Sequence, residues 1–218
     1  MTKEVERGAS CGYGCYAQRP EENEGIAKRR HALVRLAINI PGNGDIQLRR
    51  QRGRCKAGGI PAGDAIDEQL AKRVRDRYPD AQFTIHMIRQ WKERWSFVGE
   101  ARRRVMVTAP IRGRATEFDI TEEMRTACES ILPPMYETMF DLLAQVEPEF
   151  QEKLRNNVIL AGGGSLIGGL REAIEKALED VGGGKVTLVH DPVFAGSDGG
   201  LAIARDASNT DWERLAAW

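Results

Sequence analysis

Residues 158–166, Val-Ile-Leu-Ala-Gly-Gly-Gly-Ser-Leu, constrain this chain more than any other segment. An apolar run over 157–161 reads as a buried strand, and three glycines follow where such a strand must turn. A helical pattern then covers 166–180, and Gly182-Gly183-Gly184 turns the chain into a second short strand over 185–189. Strand, helix and strand in that order make a right-handed crossover on a parallel sheet. The fold class that follows is α/β.

The triplet Gly162, Gly163 and Gly164 also carries chemistry. Glycines let a ligand come close to the backbone, and a helix that starts behind them offers unpaired N–H groups and a positive dipole end. No Lys-Ser/Thr pair follows, so this is not a phosphate loop of the P-loop type. Ile167 stands at the third glycine position of a dinucleotide fingerprint, so it is not that motif either. Taken alone, a glycine triplet reads equally as a tight structural turn or as a ligand loop.

Upstream, Ile66, Leu70, Val74 and Tyr78 recur every four residues and predict a helix over 64–78, ended by Pro79. A second helix is expected over 84–95, with Ile85, Ile88, Trp91 and Trp95 along one face. Arg89, Lys92 and Glu93 lie between those apolar positions; they read as a solvated face or as a polar cluster toward a ribose or base. Residues 104–110 and 114–119 predict two strands joined at Arg112-Gly113. A long helix is expected from the cap Thr121 to about Val146, broken or kinked at Pro133-Pro134, and a short one over 199–205.

The first residues have another texture. The 218-residue chain has 32 Lys plus Arg and 32 Asp plus Glu, but residues 1–57 hold 12 basic against 6 acidic residues. A boundary is therefore drawn at residues 57–59, with 1–57 a divergent, poorly structured basic segment apart from strands at 32–40 and 45–48. The remainder divides into a domain over 58–207, with an outer subdomain inserted at about 64–120, and a tail over 208–218. The zero net charge and the lack of aromatics among the basic residues argue against nucleic acid as a partner. No apolar run reaches the ~18 residues of a membrane span, and no apolar core stands near Glu4 and Glu6 to make a secretory signal. Cys11, Cys15, Cys55 and Cys128 are too sparse for a disulfide framework or a metal site, so no metal ligands are assigned and a reduced, cytoplasmic setting is expected.

Several segments in the same order resemble the second half of the bacterial actin-like proteins, whose half-domain is ribonuclease H-like with a smaller inserted outer subdomain. They are NVILAGGGSLIGGL at 157–170, Arg89 to Val98 with its Lys92-Glu93 pair, GDAIDE at 63–68, and DPVFAGSDGGL at 191–201. The resemblance is strongest to the MamK family of magnetosome filaments and more distant to MreB, on the strength of WKERWSFV and FAGSDGG. It implies an actin-like ATPase half-fold and adenine-nucleotide binding, with ATP and Mg as cofactors. By the same resemblance Gly162, Gly163 and Gly164 border the nucleotide, Lys92 and Glu93 face its sugar, and Arg89 stands at the pocket edge. It further implies a cytoskeletal filament protein that self-associates or joins a full-length actin-like filament protein, with a link to magnetosome membrane proteins.

The family's hydrolytic and metal-binding residues belong to its other half, so no catalytic residue is assigned and ATP hydrolysis stays open. Where a second phosphate loop is expected, Asn39-Ile40-Pro41-Gly42-Asn43-Gly44-Asp45 departs from the family pattern, and Pro41 removes a backbone N–H there. An alternative expectation is a truncated or frame-shifted remnant that modulates a full-length filament protein or is inert.

Overall fold

The computed structural model describes residues 36–40, 45–50, 56–61, 63–210 and 212. Five strands form one sheet: Leu36–Asn39 (β1), Asp45–Arg50 (β2), Lys56–Pro61 (β3), Val158–Ala161 (β6) and Val186–Leu188 (β7). Their order is β3-β2-β1-β6-β7. β1 and β6 pair in parallel, Leu36 opposite Val158, and β6 and β7 also run parallel, whereas β2 and β3 return antiparallel. Leu36, Ile38, Val158 and Leu160, alternate residues of neighbouring strands, are fully buried, and Ala37 and Ile159 between them are half-buried.

The sheet therefore runs across the boundary expected at 57–59, which falls inside β3. The strands expected at 32–40 and 45–48 correspond to β1 and β2, and Gly58-Gly59 lies within β3. The physical reason is pairing: β1 completes the ladder of β6, so these residues share its core. Residues 1–35 lie outside the described residues, as do 41–44 with Pro41, Cys55, and the last six positions of the tail expected at 208–218.

Between β3 and β6 the chain builds Gly63–Arg77 (α1), Ile85–Trp95 (α2), the hairpin Met106–Ile111 (β4) and Arg114–Asp119 (β5), then Thr121–Glu129 (α3), Leu132–Ala144 (α4) and Pro148–Arg155 (α5). α1 buries Ile66, Leu70 and Val74 on one face, as their spacing predicts. Thr84 caps α2, its hydroxyl accepting the Met87 N–H at 3.3 Å. The hairpin turns at Arg112 and Gly113, both with positive φ, as a two-residue connection requires.

Two expectations change here. The break in the 121–146 helix comes at Ser130-Ile131, ahead of the prolines, and Pro133 and Pro134 lie in the first turn of α4, where no N–H is needed. The helix expected directly behind the glycine triplet is a single 3-10 turn, Gly163–Leu166; the α-helix proper (α6) covers Leu170–Glu179. Gly169 separates them with φ 79°, a left-handed backbone in which its Cβ would lie 2.6 Å from the Val98 carbonyl. The last helix, Ala195–Asp206 (α7), starts four residues earlier than expected and buries only Ala195.

Candidate functional site

β1, β6 and β7 are parallel, so their carboxyl ends share one edge of the sheet. Ligands of open α/β sheets bind outside the carboxyl ends of strands. At this edge Ile40 follows β1, the triplet follows β6, and residues 189–195 follow β7. The three segments are tied by backbone bonds: Ile40 N–H to the Ala161 carbonyl at 3.0 Å, Gly164 N–H to the Ile40 carbonyl at 2.9 Å, and Gly162 N–H to the Pro192 carbonyl at 3.0 Å.

Each glycine of the triplet has its own reason. Gly162 adopts φ 84°, the left-handed region that favours glycine. Gly164 lies against β1, where an added Cβ would come 2.3 Å from Ile40 Cγ2. Gly163 faces open space, with nothing within 4 Å of a Cβ placed on it. The turn is locked by Ser165, a buried side chain whose Oγ donates to the Gly162 carbonyl at 2.6 Å. The backbone at Gly163 is therefore open, and it is held by a rigid turn at the carboxyl edge of the sheet.

The second part of the site is α2. Arg89 and Lys92 converge on α1: Lys92 Nζ lies 2.8 Å from Asp67 Oδ1 and donates to the Gly63 carbonyl at 2.8 Å, while Arg89 Nε donates to Asp67 Oδ2 at 3.3 Å. Arg89 Nη2 also reaches Asp64 Oδ1 at 3.1 Å. The Asp67 side chain is only 1% exposed and that of Lys92 12%, against 49% for Arg89. Asp67, and then Asp64, hold the Arg89 guanidinium above its usual range. Glu93, the next residue along α2, is exposed.

Backbone joins the two parts. Ser96 N–H closes α2 on the Lys92 carbonyl, and the Ser96 carbonyl accepts the Gly168 N–H at 3.1 Å. Val98 N–H returns to the Gly168 carbonyl at 2.8 Å, so Phe97 and Gly168 make a parallel bridge. The turn of α2 that bears Lys92 and Glu93 is thus tied to the segment three residues beyond the 3-10 turn's Ser165. The arrangement brings Arg89 and Lys92 together on one carboxylate and leaves Glu93 at the surface. Asp67 and Ser165 were not singled out as site residues by sequence reasoning. The available signal was charge spacing: Asp64 and Asp67 are three residues apart, as are Arg89 and Lys92, with opposite signs.

Leu166, Val193 and Phe194 stand near this edge in sequence and are largely exposed, Phe194 at 59%. Among the described residues no group of three His, Cys, Asp or Glu side chains could hold a metal ion, so no residue described here is assigned to Mg. No helix among them is long and apolar enough to cross a membrane.

The fold defines an actin-like protein of the α/β class. Among its relatives is MamK: the chain is 33% identical over 154 residues to the actin-like protein MamK of Paramagnetospirillum magneticum strain AMB-1, a match covering 71% of this chain and 44% of that one. The chain thus spans less than half the length of that relative. A solved MamK double helical filament matches with TM-score 0.73 and 30% identity, over 79% of this chain and 55% of that chain. A non-polymerising MamK mutant bound to AMPPNP matches with TM-score 0.69 and 30% identity, over 78% of this chain and 54% of that chain. No protein-family model matches.

Proposed function

We propose that this chain works as an actin-like filament component that binds adenine nucleotide along the carboxyl edge of its sheet. The observation that carries it is the open backbone at Gly163 in a turn locked by Ser165, beside an α2 tied in through Ser96 and Gly168. Gly162, Gly163 and Gly164 border the adenosine and phosphates, Lys92 and Glu93 take the ribose side, and Arg89 closes the pocket edge. ATP is the nucleotide class in view, since one MamK relative is solved with AMPPNP; Mg would arrive with the nucleotide. The residues described here bind and orient, and hydrolysis is not assigned to any of them.

Assembly is the second element. MamK is solved as a filament, and α7 with the preceding loop exposes Val193, Phe194, Leu201 and Ile203. Exposed apolar surface of this kind favours association. The partner is a second copy or a full-length actin-like filament protein, in a cytoskeletal setting that extends to magnetosome-associated filaments and their membrane proteins.

High-speed sedimentation of the purified chain tests this, with and without Mg-ATP and with filaments of a full-length relative. Pelleting with nucleotide or with the filaments is the expected result. A chain that stays in the supernatant in every lane favours the other reading, a remnant without filament activity.

A further inference from the structure

Asp67, Glu123 and Ser165 are the buried polar or charged side chains among the described residues. Two of the three act on the candidate site, Ser165 through the Gly162 carbonyl and Asp67 through Lys92 and Arg89. Taking a carboxylate out of water is costly, and a buried ion pair seldom gains stability over packed apolar side chains of the same volume. What such a pair does fix is the direction of its partners.

We infer that Asp67 is a positioning residue for the sugar side of the nucleotide site, an inference that rests on the nucleotide reading above. An ammonium has three N–H groups. The Gly63 carbonyl takes one from Lys92, and Asp67 Oδ1 is ion-paired with the same nitrogen at 2.8 Å without meeting hydrogen-bond geometry, so donor capacity is left for a ligand oxygen. The other carboxylate oxygen holds Arg89, one turn earlier on α2. Two anchors one turn apart oppose rotation of α2 about its axis, and the exposed Glu93 stands beside one of them. A carboxylate only accepts hydrogen bonds at neutral pH, which suits the hydroxyl donors of a ribose. The far end of the same turn is fixed by Ser96 on Gly168, so Asp67 on α1 sets where α2 stands relative to the glycine turn.

The test compares ATP with 2′-deoxy-ATP by calorimetric titration of the full chain, wild type and Asp67→Asn, with circular dichroism as the folding check. The expected wild type prefers ATP, and Asp67→Asn lowers its ATP affinity about tenfold, the scale of one hydrogen bond to a charged group, while narrowing the ATP to 2′-deoxy-ATP ratio. A merely structural residue would lower both affinities by one factor; an unchanged ratio overturns the inference and leaves the nucleotide reading standing. A wild type that binds neither nucleotide overturns both, and one that binds both sugars equally overturns the inference. Should Asp67→Asn lose its fold, Asp67→Asn/Lys92→Met removes both charges and is compared with Lys92→Met alone. Equal ratios in those two variants support action through Lys92, and a further fall in the double variant overturns it.

Discussion

Gly164 donates its N–H to the Ile40 carbonyl at 2.9 Å, and the Ile40 side chain fills the space its missing Cβ would occupy. The end of β1 and the glycine turn are thus in direct backbone contact. Gly164→Ala puts a methyl group 2.3 Å from Ile40 Cγ2, and Ile40 is fully buried. Overpacking of this kind costs about 1–3 kcal/mol. Urea denaturation of Gly164→Ala is expected to show a lower midpoint with an unchanged slope.

Gly163 is the contrasting position, since nothing lies within 4 Å of its added Cβ. Gly163→Glu should fold with nearly wild-type thermal stability and lose nucleotide affinity by tenfold or more, about the effect of one close like-charge contact. Titration with a fluorescent ATP analogue reads this. Unchanged affinity moves the site away from the triplet.

Ser165 holds the turn through its Oγ and its backbone N–H, which both donate to the Gly162 carbonyl. Ser165→Ala removes the Oγ donor, and a typical net loss is about 1 kcal/mol. If the bond pre-forms the ligand turn, nucleotide affinity falls as well; if only stability changes, the lock is structural.

Acid stability should depend on Asp119. Its carboxylate accepts the Thr121 hydroxyl at 2.5 Å and the Thr121 N–H at 2.8 Å, and these two bonds hold its pKa below the usual range. The stabilisation is therefore complete above the unfolded carboxylate value, roughly 4, and is lost as pH falls through the lower folded value. Melting temperatures of wild type and Asp119→Asn should lie furthest apart near pH 6 and converge toward pH 2.5. A constant gap across that range would rule out the titration.

Cys128 should be silent toward thiol reagents. Burial pushes its thiol up to about 12, so the reactive thiolate is nearly absent at pH 8. Mass spectrometry after alkylation is expected to find the Cys128 peptide unmodified in native protein and labelled after unfolding.

The ion pair between α1 and α3 makes an ordering prediction. Glu123 is buried while Arg77, bound to both its oxygens at 2.9 and 3.0 Å, stays half exposed. Losing Glu123 frees a guanidinium that water can reach, whereas losing Arg77 strands a buried carboxylate. Arg77→Met should destabilise more than Glu123→Gln in thermal melts.

The elements that carry strong local signals were legible. Ile66, Leu70 and Val74 marked α1, Thr84 marked the start of α2, and the apolar run of β6 marked the central strand. Signals that depend on neighbours misled. Thr121 looks like a cap, but its hydroxyl serves Asp119 and the Val105 N–H, and Ile120 takes the cap position. The boundary drawn at 57–59 falls inside β3, because the pairing of β3 with β2 leaves no local mark in those residues. At the site, Lys92 and Arg89 stood out between apolar residues. Asp67 did not, because an acid inside an amphipathic helix looks solvated until α2 is packed across it.

The pairing of Leu36 with Val158 spans more than half of the chain. β1, β2 and β3 can form a meander as soon as they are made, but β1 then keeps one edge open until β6 emerges. Contacts this distant in sequence slow folding, and an open strand edge is a template for wrong pairing. The arrival of residues 158–161 beside 36–39 is the most distant pairing of this sheet, and until it is made β1 has no parallel neighbour.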